Sequence, residues 1–394
     1  MKKYSLRLLS AALTLVILCA ALTPLAAAQG SGSAILDAME VNAAAAVLVD
    51  PDTGEVLYDK NPHERRYPAS ITKVMTCLLT LEAVDRGELT LEQTVTASQA
   101  LHTGIGDNAS TADIKAGEQL RIIDLLYAAL IPSANEACNV LAEAVSGDVV
   151  TFVALMNQRA SELGMEHTTF LNCTGLPAAG HVTCAYDIAL MSRELILEHP
   201  EIRDFTTIWM DTLRDGQFQL SNTNRLIRYY EGATGLKTGS TDAALYCLSA
   251  TAERSGMELI AVVMHAPTSN DRFESAKVLL NYGFANYTLL PVYPDQALSP
   301  VEVLLGEQAT VQPVTSRECA ILVEKSQAGS VTTQLSLADS VEAPVEQGQK
   351  LGELQVYVDG ELRDTIDLVA AQPVERLSMG GIFKDLLGKL FMAG

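Results

Sequence analysis

The sequence is short of basic residues: 27 lysines and arginines stand against 48 aspartates and glutamates, and the formal net charge is −21. Such a chain has no positive field to attract nucleic acid, so no nucleic-acid partner is expected. Binding to an anionic lipid surface would have to come from a local patch, because the global field is repulsive.

Cysteine and histidine are also scarce, with no C-x-x-C pair and no cysteine–histidine cluster. Ligands of these types at close spacing are typical of structural zinc sites, so we expect neither a metal nor another cofactor. Cys173 and Cys184 could pair across a loop or remain free buried thiols. No particular disulfide is predicted.

The N-terminus has the order of a cleavable secretory signal. Three basic residues stand within the first seven positions, an apolar run covers 8–25, and Ala26-Ala27-Ala28 follows. A signal peptide is therefore predicted over 1–28, and its removal would change the net charge from −21 to −24. The alternatives are a membrane span, for which the run is near the lower length limit, and lipid attachment at Cys19.

The length of 394 residues suits two domains, predicted over 35–288 and 292–371. The first mixes hairpins at 46–58 and 246–264 with helical segments. These segments are 70–86, 122–130, 135–145, 149–163, 185–197 and 271–281. Strands at both ends with helices between them predict an α+β fold, in which helices flank one antiparallel sheet.

The sequence pattern of the second domain predicts a small all-β domain. Short strand candidates at 301–305, 319–324, 332–337 and 354–358 are separated by turn residues. None of its residues forms a pattern that carries chemistry, so we interpret it as a spacer or interaction module.

A C-terminal amphipathic helix is predicted over 378–393. Ile382, Phe383, Leu386, Leu387, Leu390 and Phe391 fall on one half of a helical circumference, with Lys384 and Lys389 on the other half. The segment is too short for a span, which needs about 20 residues, but it suits a helix lying in a membrane interface. It would hold an exported chain on the outer face of the cytoplasmic membrane; the alternative is a helix docked on the β domain.

Three short motifs carry candidate chemistry. In Ser70-Ile71-Thr72-Lys73, at the start of a predicted helix, the spacing places a hydroxyl and an amine on one face, about one turn apart. Ser133-Ala134-Asn135 stands in the break between two helices, and each serine alone could be a helix cap. In Lys237-Thr238-Gly239 an extended chain turns Lys237 and Gly239 to the same side, so that a cation and a gap line one cleft.

A serine hydroxyl needs a base before it can act as a nucleophile. Lys73 is the candidate, because burial and the charge of Lys237 would lower its pKa. None of the six histidines sits in a Ser-His-Asp setting. His181 is interpreted as a structural, hydrogen-bonding histidine.

The three motifs in this order are the set found in class A β-lactamases and penicillin-binding proteins. Further matching segments are Asp124-Leu125-Leu126-Tyr127, Thr174-Gly175-Leu176-Pro177, Gly180-His181 and Asn222-Thr223-Asn224-Arg225-Leu226. Over nearly its whole length the chain resembles the low-molecular-mass penicillin-binding proteins, the D-alanyl-D-alanine carboxypeptidases of peptidase family S11. It departs from them at Ala134 and Leu245, where glycine is expected.

The resemblance implies a β-lactamase/transpeptidase-like fold and a serine carboxypeptidase that removes the terminal D-alanine from peptidoglycan stem peptides ending in D-Ala-D-Ala. Ser70 would form the acyl-enzyme, Ser133 would relay a proton to the leaving D-alanine, and Asn135 would hold the peptide amide. β-Lactams resemble the acyl-D-alanyl-D-alanine unit and would acylate Ser70 as inhibitors.

The resemblance also assigns the carboxylate side of the cleft. Lys237 and Thr238 of the Lys237-Thr238-Gly239 segment would receive the terminal carboxylate. The backbone amides of Ser70 and Ser240 would bind the oxyanion. Arg272 resembles the family's arginine on the carboxylate side, although it could instead be a surface residue paired with Asp271 or Glu274.

Three other functions stay open at this stage. A β-lactamase would need a glutamate-positioned water, and Glu166 looks like an exposed loop residue instead. A DD-endopeptidase would use the same motifs. A non-catalytic scaffold that binds wall peptides would not need Ser70, Lys73 and Lys237, and all three are present.

Overall fold

The computed structural model describes residues 39–294, 296–317 and 319–381. The predicted signal peptide and residues 382–393 of the predicted tail helix lie outside the described residues. The chain divides into Met1–Val41 and Asn42–Gly394, and every element below belongs to the second unit.

The first region of this unit alternates strands and helices. Its strands are β1 Ala45–Val49, β2 Val56–Lys60, β3 Thr94–Thr96, β4 Gln119–Arg121, β5 Met210–Leu213, β6 Phe218–Ser221, β7 Ala233–Thr241, β8 Leu245–Arg254 and β9 Met257–Ala266. Its helices are α1 Lys73–Asp85, α2 Ile122–Leu130, α3 Asn135–Ser146, α4 Val149–Glu162, α5 Ala185–Glu198, α6 Ile202–Thr206, α7 Leu226–Tyr229 and α8 Ser269–Asn286. Turns of 3₁₀ helix lie at Ala69–Thr72 and Gln99–His102.

Five strands form the central sheet in the order β2-β1-β9-β8-β7. Every neighbouring pair is antiparallel, and the strands come from the two ends of the region, as the sequence predicted. Both predicted hairpins are present. The strands of the second one, β8 and β9, extend beyond the predicted 246–251 and 259–264 at both ends.

Helices cover both faces of the sheet, and successive side chains of β9 point to opposite faces. Ile260, Val262 and Met264 belong to the large core cluster, which also contains residues of α1 to α5. Leu259 points the other way, since a β-carbon on Gly283 of α8 would lie 2.4 Å from its Cδ1 atom. Helices thus pack on both sides of the sheet and bury it.

Most helix predictions are confirmed. Helix α2 has the predicted bounds, and α3, α4 and α5 differ from prediction by one residue at the C-terminal end. Residues 70–72 were predicted as α-helix and instead belong to the 3₁₀ turn Ala69–Thr72. Helix α8 exceeds the predicted 271–281 at both ends, and the short ladders β3–β4 and β5–β6 were not predicted.

The second region is built of strands. They are β10 Tyr287–Pro291, β11 Val301–Leu304, β12 Thr310–Val311, β13 Pro313–Thr315, β14 Ala320–Glu324, β15 Val331–Leu337, β16 Ser340–Glu342, β17 Lys350–Val358 and β18 Glu361–Ala370. They form sheets ordered β10-β14, β12-β11-β16 and β13-β18-β17-β15. Strands β10, β12, β13, β16 and β18 were not predicted. Strand β18 was missed although Asp359-Gly360 before it is a hairpin signal and both residues have positive φ.

These elements confirm the predicted fold class, an α+β region with an antiparallel sheet followed by an all-β domain. The six cysteines among the described residues, Cys173 and Cys184 included, are free thiols. No single described helix has the length and hydropathy of a membrane span; only the pair α3 and α4, bent by 83°, meets both conditions together.

Candidate active site

The candidate nucleophile lies in a tight turn. Ser70 is in the 3₁₀ turn before α1, and Ala69 has φ +49°, a left-handed conformation that costs about 1–3 kcal/mol for a residue other than glycine. The turn packs against two glycines. A β-carbon on Gly175 would lie 1.8 Å from the Ala69 carbonyl oxygen, and one on Gly239 would lie 3.0 Å from the Ser70 nitrogen. Both segments therefore need glycine to reach the turn.

Lys73 is fully buried and hydrogen-bonded in three directions. Its Nζ atom lies 2.9 Å from Ser70 Oγ, 2.8 Å from Asn135 Oδ1 and 2.8 Å from the carbonyl oxygen of Thr174. The two carbonyl oxygens can only accept, whereas the Ser70 hydroxyl can also donate. A neutral amine that donates its two hydrogens to the carbonyl oxygens therefore turns its lone pair toward Ser70.

Burial lowers the pKa of Lys73, because the charged form loses its hydration. Glu136, which is buried one position after Asn135, opposes this and raises the same pKa. The expected effect of the Lys237 charge on Lys73 is not found, since burial, three buried cysteines and Glu136 account for the shift in the Lys73 pKa. At Lys237 burial is the larger cause, the charge of Lys73 comes next, and the pKa falls well below its usual value.

Ser133 and Asn135 lie on either side of the start of α3. Ser133 has φ +69° and is 4 % exposed, and its Oγ atom has no hydrogen-bond partner among the described residues. Asn135 accepts from Lys73 and donates from Nδ2 to the carbonyl oxygen of Ser110 at 2.9 Å. The Ser133 hydroxyl is therefore a buried group free to bind an incoming molecule.

Strand β7 carries the third motif. Lys237 is 1 % exposed, and its Nζ donates to the carbonyl oxygen of Thr238 at 3.1 Å. The Thr238 hydroxyl donates to Thr223 Oγ1 at 2.6 Å. Asn224 supports the strand from the same loop, donating from Nδ2 to the Gly235 carbonyl oxygen at 2.8 Å.

Arg272 lies behind this strand. Its Nη1 atom donates to the carbonyl oxygen of Gly239 at 3.2 Å, and burial lowers its pKa to about 10. The alternative of a surface residue paired with Asp271 or Glu274 is wrong, because Arg272 is 7 % exposed. Asp271 accepts from Thr268 and Asn42, and Glu274 pairs with Lys277.

His181 has the structural character that the sequence indicated. Its Nδ1 atom accepts from the Leu171 backbone at 3.0 Å, so Nε2 carries the hydrogen that Thr72 Oγ1 accepts at 2.9 Å. Burial lowers its pKa to about 4. The histidine is thus neutral and ties the 3₁₀ turn to the loop around Leu171.

The structure brings several of the predicted site residues together, but no side-chain hydrogen bond among the described residues connects Ser133, Lys237 or Thr238 to Ser70, Lys73 or Asn135. Ser70, Lys73 and Asn135 share hydrogen bonds, Gly239 lies against the Ser70 amide with Ser240 exposed beside it, and Arg272 holds the Gly239 carbonyl. Sequence reasoning missed Thr174 as an acceptor for Lys73. Thr174 lies in the recognised Thr174-Gly175-Leu176-Pro177 segment, but a role played by a backbone carbonyl leaves no signal in the side chain.

Comparison with known proteins shows which family this chain matches. Residues 32–268 match the family model "D-alanyl-D-alanine carboxypeptidase", and residues 288–376 match "Penicillin-binding protein 5, C-terminal domain". The D-alanyl-D-alanine carboxypeptidase DacF of Bacillus subtilis is 38 % identical over 351 residues, covering 88 % of this chain and 89 % of DacF.

Solved structures agree with this match. Penicillin-binding protein 5 from Haemophilus influenzae has a TM-score of 0.72 at 28 % identity, over 86 % of this chain and 98 % of the other. Penicillin-binding protein D2 from Listeria monocytogenes, in its ampicillin-bound form, has a TM-score of 0.57 at 34 % identity, over 62 % of this chain and 99 % of the other.

Proposed function

Since this chain belongs to the D-alanyl-D-alanine carboxypeptidase family, peptidase S11, we propose that its release of the terminal D-alanine from peptidoglycan stem peptides passes through an acyl-enzyme on Ser70. The observation that carries this proposal is the set of bonds around Lys73. Two carbonyl oxygens hold the hydrogens of the neutral amine, and the lone pair faces Ser70 Oγ at 2.9 Å.

In the first step Lys73 takes the Ser70 proton while Oγ attacks the carbonyl carbon between the two D-alanines. The oxyanion is bound by the backbone amides of Ser70 and Ser240, donors that are in place before the charge develops. The peptide C–N bond then breaks. Ser133 donates its hydroxyl proton to the leaving amine and regains a proton from the Lys73 ammonium, which returns the lysine to its neutral form. Water hydrolyses the ester, releases the shortened peptide and restores Ser70.

The buried amine of Lys237 suits the terminal carboxylate, which would favour its protonated form. A carboxylate next to Nζ favours the charged amine and would reverse the depression of its pKa. Thr238 supplies a second hydrogen bond, and Asn135 holds the peptide amide. Arg272 acts through the Gly239 carbonyl and adds positive charge behind the strand, so we assign it a positioning role.

β-Lactams that mimic the acyl-D-alanyl-D-alanine unit acylate the same serine. Rapid deacylation as in a class A β-lactamase needs a carboxylate that positions water. Among the described residues no carboxylate is hydrogen-bonded to Ser70 or Lys73, and Glu166 is exposed. This favours the carboxypeptidase over the β-lactamase.

The proposal extends to the location of the enzyme. A signal peptide over 1–28 would export it, and an amphipathic helix over 378–393 would hold it on the outer face of the cytoplasmic membrane, near new wall. Truncation after Arg376 should then release active enzyme from membrane fractions. Sedimentation of the truncated enzyme with membranes would refute the anchor.

The activity is tested with purified muropeptides and mass spectrometry. The wild-type chain should convert pentapeptides to tetrapeptides and leave cross-linked dimers intact, whereas a DD-endopeptidase would cleave the dimers. Ser70→Ala should lose both D-alanine release and labelling by a fluorescent penicillin with unchanged circular dichroism. Labelling of that variant at another serine would exclude Ser70 as the nucleophile.

A further inference from the structure

A second cluster of polar side chains lies far from the catalytic residues. Asp85 is the last residue of α1, His199 follows the end of α5, and Glu201 precedes α6. Helix α1 begins at Lys73, so at 1.5 Å per residue its other end lies about 18 Å away. The cluster is therefore separate from the active site.

His199 is the buried member of this cluster. The residue is 2 % exposed, and its Nδ1 atom has no hydrogen-bond partner among the residues that the structure describes. The same atom lies 3.3 Å from Asp85 Oδ2 and 3.6 Å from Glu201 Oε1, without the alignment of a hydrogen bond. A buried nitrogen without a partner is costly unless something binds it.

The spacing of these atoms suits one shared cation. Ligands about 2.1 Å from a tetrahedral ion are separated by about 3.4 Å, a value between the two observed separations. All three donor atoms lie within 4.8 Å of one another. One imidazole nitrogen and two carboxylate oxygens form a donor set that zinc accepts, with water in the fourth position.

The electrostatics favour a cation at the same place. The carboxyl ends of α1 and α5 meet here, and each contributes partial negative charge from its last carbonyl groups. In the described part of the chain neither carboxylate is paired with a lysine or arginine; their only ion-pair partner is His199. The cluster thus has negative charge that no lysine or arginine among the described residues neutralises.

We propose that Asp85, His199 and Glu201 form a site for a divalent transition metal of the zinc class, which joins the end of α1 to the turn between α5 and α6. The role is structural. Binding stabilises the folded chain by an amount that grows with the logarithm of the free metal concentration above the Kd, because the unfolded chain does not hold the three ligands together.

The test uses the full chain stripped with EDTA and titrated with Zn²⁺ in a calorimeter. We expect one ion bound per chain and a higher Tm in zinc. Asp85→Asn with Glu201→Gln, both at partly exposed side chains, should abolish binding and the Tm rise. The matched double variant Asp107→Asn with Glu166→Gln changes two exposed carboxylates elsewhere and should bind normally.

Co²⁺ identifies the ligands. Bound cobalt should show the visible bands of a tetrahedral N/O site without a thiolate charge-transfer band, and His199→Gln should remove them, whereas His102→Gln at an exposed histidine should not. Absence of stoichiometric binding would overturn the proposal. So would binding that persists in the Asp85/Glu201 double variant, or a thiolate band that shows a cysteine as the ligand.

Discussion

Gly239 and Ser70 lie so close that a β-carbon on the glycine would be 3.0 Å from the serine nitrogen and 2.8 Å from the carbonyl oxygen of Pro68. Strand β7 therefore contacts the 3₁₀ turn that carries Ser70 through the backbone of Gly239, with no side chain between them. This contact sets the separation between the Ser70 amide and the residue after Gly239, the two proposed oxyanion donors.

Gly239→Ala should push the strand away from the turn and reduce kcat for D-alanine release by about 10²-fold or more, the loss typical of one misplaced oxyanion donor. The chain should remain folded by circular dichroism. Gly106→Ala, where nothing lies within 4 Å of the added carbon, serves as the control. Equal kinetics in the two variants would show that the contact is not needed.

Asn135→Asp should move the pH dependence of penicillin acylation. Acylation requires neutral Lys73 and rises as pH increases through its pKa, which burial lowers. A carboxylate at the position of the Asn135 amide would stabilise the ammonium, so the rising limb should shift upward by about 1–3 pH units. Asn286→Asp at the end of α8 should leave the profile unchanged, and an unmoved limb in Asn135→Asp would exclude Lys73 as the base.

Ser133→Ala should separate catalysis from stability. The Oγ atom has no partner among the described residues, so its removal should change the free energy of unfolding by less than about 1 kcal/mol. Peptide acylation should fall about 10²-fold or more, as expected for loss of a proton relay. Urea unfolding and stopped-flow kinetics measure the two effects, with Ser161→Ala as the control. A normal rate would remove Ser133 from the mechanism.

His181 should make stability depend on pH between about 4 and 6.5. Burial lowers its pKa to about 4, so the unfolded chain binds a proton in this window while the folded chain does not. The contribution is complete above pH 6.5 and is lost as pH falls to 4, amounting to roughly 3 kcal/mol. His181→Gln should be less stable at pH 7 with a flatter profile, measured by urea unfolding. An unchanged slope, equal to that of His102→Gln, would contradict this.

Leu245 has φ +52°, which is the conformation that the expected glycine would adopt without strain. Leu245→Gly should therefore be more stable than Leu245→Ala by about 1 kcal/mol, because alanine retains the steric cost of the left-handed backbone. Both variants lose the leucine side chain, so the comparison isolates the backbone. Equal melting temperatures would show that the position is not strained.

The sequence alone predicted most helices of the first region, both hairpins of the central sheet and the residue types of the candidate site. Helix periodicity is a local property, which is why the bounds of α2 to α5 were predicted to within one residue. The three motifs contain two serine hydroxyls, two amines and an amide, a combination typical of class A β-lactamases and penicillin-binding proteins. Strand β18 was missed because its buried, alternating residues Ile366, Leu368 and Ala370 occupy only the second half of the strand, and no residue of 361–365 is buried.

Only the tertiary structure decided the burial, the pKa and the hydrogen-bond partners of those groups. The acceptor from Thr174 reaches Lys73 over a sequence separation of 101 residues and uses only a backbone oxygen. The acidic neighbours of Arg272 in the sequence allowed a surface position for it. Only the packing of α8 on the sheet buries it behind Gly239. Asp85 and His199 are brought together by two helix ends that no motif connects. Burial, pKa and contact depend on segments distant in sequence, and a local pattern carries no information about them.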